Sequence, residues 1–217
     1  GRGKELTEFA NYDDQGANEV LGRKLMNSEL GCYLSHYGCV EKFLQTDADY
    51  LVVLEDDLRI DNNFSSTLQE ILHYLHSQKN IEWSLINIAA KKNKISREIF
   101  RTHDYSLVRA YYFPIRGVGL VWSRQGAHDF LKMAQNPCLP VDIFFQNWLI
   151  KNGKGLSIWP PLVRPAGLDS DILGTVATER VRRKQKENRD FSFFMKKQLR
   201  LLKNNILAYI NFLSFKS

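Results

Sequence analysis

The sequence predicts an α/β fold with a mostly parallel central sheet. Apolar runs typical of strands alternate along the chain with segments in which apolar residues recur at helical spacing. The first of these runs, YLVVL at residues 50–54, is continuously apolar, which favours a strand buried on both faces of a parallel sheet. With 217 residues and 44% hydrophobic composition, the chain is long enough for one domain with a dry core.

The first half of the chain predicts a helix, a strand and a second helix. The first helix is expected to begin at Ser28, because Glu29 follows in its first turn and the apolar residues share one stripe. The stripe consists of Leu30, Leu34, Tyr37 and Leu44. The strand at 50–54 comes next, and an amphipathic helix is predicted over about residues 64–78.

The second half predicts further strands and helices in alternation. An apolar strand is expected over residues 83–89, followed by a basic loop over residues 91–101. Residues 106–123 indicate two short strands, with a helix starting near Ser123. The last elements of this part are a helix over residues 139–153 and a closing strand over residues 155–165.

Charge separates the C-terminal tail from the rest of the chain. Residues 179–217 contain 11 Lys and Arg against 3 acids, although the whole chain has a net charge of only +6. The preceding part is therefore slightly acidic, and no nucleic-acid-binding motif is present, so we expect no nucleic-acid partner. We place a domain boundary near Thr175, with the main domain at 1–175 and a tail at 176–217.

The tail predicts a basic amphipathic helix. Apolar and basic residues alternate at helical spacing in FFMKKQLRLLKNNILAYINFL, a composition that suits the surface of an anionic membrane. Each Lys or Arg near such a surface contributes about 1 kcal/mol. A solvated helix, a dimer contact and packing against the main domain remain alternatives.

Other features give simple expectations. No apolar run reaches the roughly 18 residues of a membrane span, and the first residues contain no apolar secretory core, so we expect a soluble cytoplasmic protein. The cysteines, Cys32, Cys39 and Cys138, are odd in number and lack CxxC spacing. We interpret them as ordinary small apolar residues.

Three consecutive acids follow the first predicted strand. Glu55, Asp56 and Asp57 repel one another, and a divalent cation would offset that repulsion. In an extended chain Glu55 and Asp57 point the same way, and oxygen ligands suit Mg²⁺ or Mn²⁺ with phosphate oxygens as further ligands. A helix cap or a solvated turn is the alternative. A Walker-type ATPase is disfavoured because GxxxxGK[ST] is absent, whereas a metal-dependent transferase with a nucleotide-activated donor fits the acids.

Five blocks of sequence, in order, resemble glycosyltransferase family 25. The blocks are LGRKLMNSELGCYLSHYGCVEKFL, YLVVLEDDLRI, GVGLVWSRQGAHDFL, LPVDIFFQNWL and PPLVRP with the nearby SDI. The family contains bacterial lipopolysaccharide and lipooligosaccharide glycosyltransferases, many of them galactosyltransferases, and relatives that glycosylate collagen. The resemblance implies a GT-A-like nucleotide-sugar fold, a UDP-hexose donor, a divalent metal and inversion at the anomeric carbon. Family members usually begin with a strand–helix unit that this sequence lacks, so part of the donor pocket is expected to be missing from the domain at 1–175.

The resemblance also implies roles for individual residues. Glu55 and Asp57 would hold Mn²⁺ or Mg²⁺ and the donor diphosphate, with Asp56 contacting the ribose or donor sugar. In the first predicted helix, Glu29, Ser35 and His36 would line the donor or acceptor site, although a histidine satisfied at the core boundary is the alternative for His36. Asp142 is the expected base that takes the acceptor proton, with His36 as a second catalytic candidate. An N-cap role is the alternative for Asp142.

Together these observations predict an inverting, metal-dependent glycosyltransferase. It would move a hexose, with galactose from UDP-galactose as the expected donor, onto a lipid-linked lipooligosaccharide or lipopolysaccharide at the cytoplasmic face of the bacterial inner membrane. A sugar-nucleotide-binding or scaffold protein without turnover is the alternative.

Overall fold

Helices and strands alternate along the computed structural model, which describes residues 11–166 and 191–214. The helices are α1 (Asp14–Leu21), α2 (Asn27–Leu44), α3 (Phe64–Ser77), α4 (Arg124–Met133), α5 (Val141–Asn152) and α6 (Phe191–Ser214). The strands are β1 (Tyr50–Leu54), β2 (Leu58–Ile60), β3 (Leu85–Asn87), β4 (Ser96–Thr102), β5 (Tyr105–Ala110), β6 (Gly119–Ser123), β7 (Gly155–Trp159) and β8 (Val163–Pro165). The mixed α/β class is confirmed.

The central sheet is mostly antiparallel, so the predicted mostly parallel sheet is wrong. Its strand order is β1-β6-β3-β7-β5-β4, and of these neighbours only β3 and β7 pair in parallel. Strand β1 lies at an edge, with Val52 and Leu54 39% and 37% exposed, so its apolar run does not mark burial on both faces. Strand β1 is hydrogen-bonded to β6 in the antiparallel direction. Because β6 lies far along the chain, the sequence around β1 does not predict this pairing.

Most predicted elements are present at nearly the predicted positions. Ser123 caps α4, because its hydroxyl accepts a hydrogen bond from Gly126 N at 3.0 Å. The basic segment 91–101 was predicted as a loop, and that prediction is wrong for its second half, which forms β4. Strand β4 pairs with β5 across the short turn at His103 and Asp104, so a long-range sheet stabilises a segment of weak strand character.

Helices cover both faces of the sheet. Helices α2, α4 and α5 pack on one face around Trp122, Phe130 and Phe145, and α3 packs on the other face around Ile71 and Ile86. Alternation along the strands produces this division, since neighbouring strand residues point to opposite faces. The sheet therefore forms the middle of three layers. The helices cover its faces, and loops lie at the ends of its strands.

The tail helix α6 packs against the main domain with one face. Its Ala208 is fully buried, its Asn204 amide donates to Asn147 Oδ1 at 2.9 Å, and its Asn211 amide donates to the Ile150 carbonyl at 2.6 Å. The predicted helix is confirmed for residues 191–214, whereas the predicted boundary near 175 and the SDI element lie outside the described residues. No described helix is both long and apolar enough to cross a membrane.

Candidate functional site

The predicted site residues come from three separate segments that meet at one end of β1. The acids 55–57 follow this strand, α2 carries His36, and the first turn of α5 carries Asp142. A fourth segment, the loop before β6, completes the site: Glu55 N donates to the Val118 carbonyl at 3.0 Å. Long-range packing thus brings together groups that are spread over more than 100 positions of the chain, from His36 to Asp142.

The three acids differ in exposure. Glu55 and Asp57 are partly buried, whereas Asp56 between them is exposed. Burial raises the pKa of the Glu55 carboxyl, and the negative charges of Asp57, Asp56 and Asp142 raise it further. Among residues 11–166 and 191–214, none of these carboxylates forms an ion pair with Lys or Arg. The site therefore concentrates negative charge, which favours binding of a cation.

His36 is buried beside this acidic group. Its side chain is only 3% exposed, its ring meets Phe145 edge-on with centroids 5.6 Å apart, and its Nε2 faces Gly117. Burial lowers the pKa of His36 to about 4, so the imidazole is neutral at pH 7. Its Nδ1 is buried and has no hydrogen-bond partner among the described residues, which does not fit a core histidine satisfied by a carbonyl.

Cys32 is the residue that sequence reasoning missed. Its Sγ lies 3.9 Å from Glu55 Oε1, and one ligand atom each of Cys32, His36 and Glu55 lie within 4.8 Å of one another. Burial raises the pKa of the Cys32 thiol to about 12, and the charges of Glu55 and Asp142 add to the rise. The four-residue spacing of Cys32 and His36 was the available signal, because such residues share one face of a helix.

Asp142 lies in the first turn of α5 but is not its N-cap. Pro140 occupies the N-cap position, and Asp142 Oδ1 accepts a hydrogen bond from Ile143 N at 2.8 Å. Burial raises the pKa of Asp142, and the charge of Glu29 raises it further, while the bond from Ile143 opposes both. The N-cap alternative is thus wrong, and the carboxyl is held where its proton affinity is increased.

Glu29 and Ser35 form hydrogen bonds at the start of α2 and within it. The Glu29 carboxylate accepts hydrogen bonds from Arg23 at 2.7 and 2.8 Å and from Met26 N at 2.9 Å, so it already has partners at the start of the helix. Ser35 is exposed and donates to the Gly31 carbonyl of its own helix at 2.9 Å. Its expected place in the site is not supported, because that position faces away from the buried stripe of α2.

Asn87 holds the loop that borders the site. It is buried at the end of β3, and its amide donates to the carbonyls of Arg116 at 2.9 Å and Pro114 at 3.3 Å. Arg116 has φ +129°, a region that a bulky residue rarely adopts. Strained backbone of this kind is often found at functional sites, where the surrounding structure maintains it.

The sequence also matches a known protein family. The family described as glycosyltransferase family 25 (LPS biosynthesis protein) matches residues 2–145. This chain therefore belongs to glycosyltransferase family 25.

Similar proteins include animal members of the family. Procollagen galactosyltransferase 1 of Danio rerio is 36% identical over 127 residues, which cover 57% of this chain and 20% of the relative. Procollagen galactosyltransferase 2 of Homo sapiens is 31% identical over 126 residues, covering 56% and 20%. Probable inactive glycosyltransferase 25 family member 3 of Bos taurus is 33% identical over 126 residues, covering 57% and 20%. The chain thus spans about a fifth of the length of the curated relatives it matches.

Proposed function

We propose that this chain transfers a hexose from a UDP-hexose to a hydroxyl group of an acceptor sugar, with inversion at the anomeric carbon. One observation carries the proposal: Glu55, Asp57, His36 and Asp142 belong to one partly buried, acidic site although they come from separate segments. In this reaction the acceptor oxygen forms a bond to the anomeric carbon, and the bond from that carbon to the diphosphate oxygen breaks.

The donor set fits an oxygen-preferring divalent cation. Glu55 and Asp57 would hold Mn²⁺ or Mg²⁺, because both are partly buried carboxylates without an ion-pair partner among the described residues. When bound, such an ion neutralises charge on a departing UDP. Asp56, which is exposed, would contact the ribose or the donor sugar from the solvent side.

Asp142 is the proposed general base. A carboxylate with a raised pKa takes a proton more readily near neutral pH than an ordinary aspartate does. The proton of the acceptor hydroxyl would pass to Asp142 as the new bond forms. His36 would contribute as a neutral, buried group that shapes the site, since its lowered pKa makes it a poor base.

Galactose and a glycolipid acceptor are the proposed substrates. The names of the similar animal proteins support galactosyl transfer, and the description of the family supports lipopolysaccharide biosynthesis. We therefore propose UDP-galactose as donor, a lipid-linked oligosaccharide as acceptor and a GT-A-like donor site.

The outer face of α6 supports a place at the inner face of a bacterial inner membrane. Most of its apolar side chains are exposed along one stripe, which contains Phe191, Phe194, Met195, Leu199, Leu202, Ile206, Tyr209, Ile210 and Leu213. Residues 191–214 include four Lys and Arg and no acid, so the helix complements an anionic lipid surface. Such docking would bring the catalytic site close to a lipid-anchored acceptor.

The test is release of UDP from a panel of UDP-hexoses, with and without Mn²⁺. We expect release to be fastest with UDP-galactose, to require the metal, and to be lost in Asp57→Asn. If Mn²⁺-dependent UDP binding is found but no sugar is released or transferred, the chain is instead a sugar-nucleotide-binding protein. The similarity to a probable inactive relative supports keeping this second candidate.

A further inference from the structure

We propose that Cys32, His36 and Glu55 form a second, mixed-donor cation site that binds a single Zn²⁺-like ion. A thiolate sulfur, an imidazole nitrogen and a carboxylate oxygen would be its ligands. This set differs from the oxygen-only site proposed for the donor metal, in which Glu55 acts together with Asp57. The two sites share the Glu55 carboxylate.

The geometry is close to that of a tetrahedral site. Zn–S bonds of about 2.3 Å and Zn–O bonds of about 2.1 Å place the two ligand atoms about 3.6 Å apart at the tetrahedral angle. The observed distance between Cys32 Sγ and Glu55 Oε1 is 3.9 Å, and the three ligand atoms lie within 4.8 Å of one another. Side-chain movements of about an ångström would complete the site.

The helix prearranges two of the three ligands. Cys32 and His36 are four residues apart in α2, so their side chains project from the same face, as paired ligands do in helical zinc motifs. The third ligand, Glu55, is held by the hydrogen bond from its backbone N to the Val118 carbonyl. The remaining coordination position would be open to water or to a substrate oxygen.

His36 provides the independent observation that points to a ligand. Its side chain is 97% buried, yet its Nδ1 has no hydrogen-bond partner among the described residues. A buried ring nitrogen without a hydrogen-bond partner costs free energy. Binding a cation inside the cluster would give the imidazole a partner and fix its orientation. Sulfur and imidazole ligands select Zn²⁺ and softer ions over Mg²⁺ and Mn²⁺.

Sharing Glu55 has a consequence for catalysis, which rests on the proposed function. An ion in the mixed-donor site draws the Glu55 carboxylate away from the donor metal. Zn²⁺ would therefore inhibit transfer in competition with Mn²⁺, and Cys32→Ser would relieve that inhibition. Binding itself does not depend on the proposed reaction.

The test is titration of the full chain with Cd²⁺ in the absence of nucleotide, followed by ultraviolet thiolate-to-cadmium absorption. We expect one equivalent to bind with this absorption, Cys32→Ser to abolish the band, and Glu55→Gln to weaken binding by about tenfold or more. Cys39→Ser is the matched control, because Cys39 lies on the exposed side of the same helix. A band that persists in Cys32→Ser, or no band in the unchanged protein, would overturn the proposal.

A second measurement needs no variant and so remains decisive if Cys32→Ser does not fold. X-ray absorption at the cadmium edge of the Cd²⁺-loaded protein should show one sulfur neighbour together with nitrogen and oxygen ligands. A spectrum accounted for by oxygen ligands alone would contradict the site. Because neither measurement uses UDP or an acceptor, the UDP-release assay can fail or succeed independently.

Discussion

The ring of His36 meets the ring of Phe145 edge-on, with centroids 5.6 Å apart and an interplanar angle of 87°. This contact joins α2 to α5 at the level of the site. Phe145 lies three residues after Asp142, on the same side of α5. The aromatic contact therefore sets the position of the proposed base relative to the buried imidazole, and it connects core packing to chemistry.

Replacing the proposed base should remove catalysis without unfolding the protein. We expect Asp142→Asn to lower kcat/KM by about 10²- to 10⁴-fold, because general-base catalysis contributes about that much. In the unchanged enzyme the acidic limb of the pH profile should lie above the ordinary aspartate range, since the pKa of Asp142 is raised. Asp49→Asn, at the opposite end of β1, is the control. An acidic limb that survives unchanged in Asp142→Asn would assign the base to another residue.

Removing charge from the acidic site should stabilise the metal-free protein while ending its activity. Because burial and three neighbouring acids raise the pKa of Glu55, ionising its carboxyl costs more free energy in the folded protein than in the unfolded chain. Glu55→Gln should therefore raise the Tm measured in EDTA by a few degrees and abolish metal-dependent UDP release. A lower Tm in Glu55→Gln would contradict this prediction, because it would show that the carboxylate stabilises the folded protein.

Burial of His36 should make stability depend on pH. Its folded pKa of about 4 lies below the ordinary histidine value of 6.5, so between these values the unfolded chain binds more protons than the folded one. The neutral, buried His36 therefore contributes to the free energy of unfolding above about pH 6.5. This contribution, at most about 3 kcal/mol, is lost as the pH falls toward 4. Denaturant unfolding at several pH values should show a flatter dependence in His36→Gln than in the exposed control His73→Gln. If the free energy of unfolding depended on pH equally in both variants, the pH dependence could not be attributed to His36.

Two helical glycines should respond to alanine in opposite directions. A Cβ added to Gly126 would overlap the Ser84 carbonyl oxygen, so Gly126→Ala should destabilise the protein by about 1–3 kcal/mol. A Cβ on Gly38, in the middle of α2, meets nothing within 4 Å. Gly38→Ala should stabilise by about 0.5–1 kcal/mol, because alanine loses less backbone entropy in a helix. Chemical denaturation measures the free energy of unfolding of both variants. Equal changes in the two variants would contradict the packing described around α4.

The exposed stripe of α6 should govern binding to anionic vesicles. Ile206 is 51% exposed within that stripe, so Ile206→Glu places a charge where the acyl boundary would lie. We expect this change to reduce sedimentation with vesicles containing phosphatidylserine, and added salt to reduce sedimentation of the unchanged protein. Gln69→Glu adds the same charge on exposed α3 and should leave sedimentation unchanged. Equal binding by both variants would exclude the stripe as the docking surface.

Local signals in the sequence were sufficient for several elements. The start of α4 was predictable because Ser123 forms its cap within three residues, and α3 was predictable because its apolar residues repeat at helical spacing. The blocks that resemble glycosyltransferase family 25 made the family recognisable, since short stretches of sequence carry those motifs, and they led to the prediction that the acids 55–57 and Asp142 belong to the site.

Tertiary structure alone decided strand direction and the composition of the site. Whether β1 is central or at an edge depends on its pairing with β6, which lies about 70 residues later, and an apolar run contains no information about that partner. Cys32 looked like a simple core residue until folding placed its sulfur 3.9 Å from Glu55. The sequence by itself determined which chemical groups are available and which segments form helices, because those depend on neighbours in the chain. Only the folded structure determined which groups share a buried site, because burial and charge coupling act between residues that are distant in sequence.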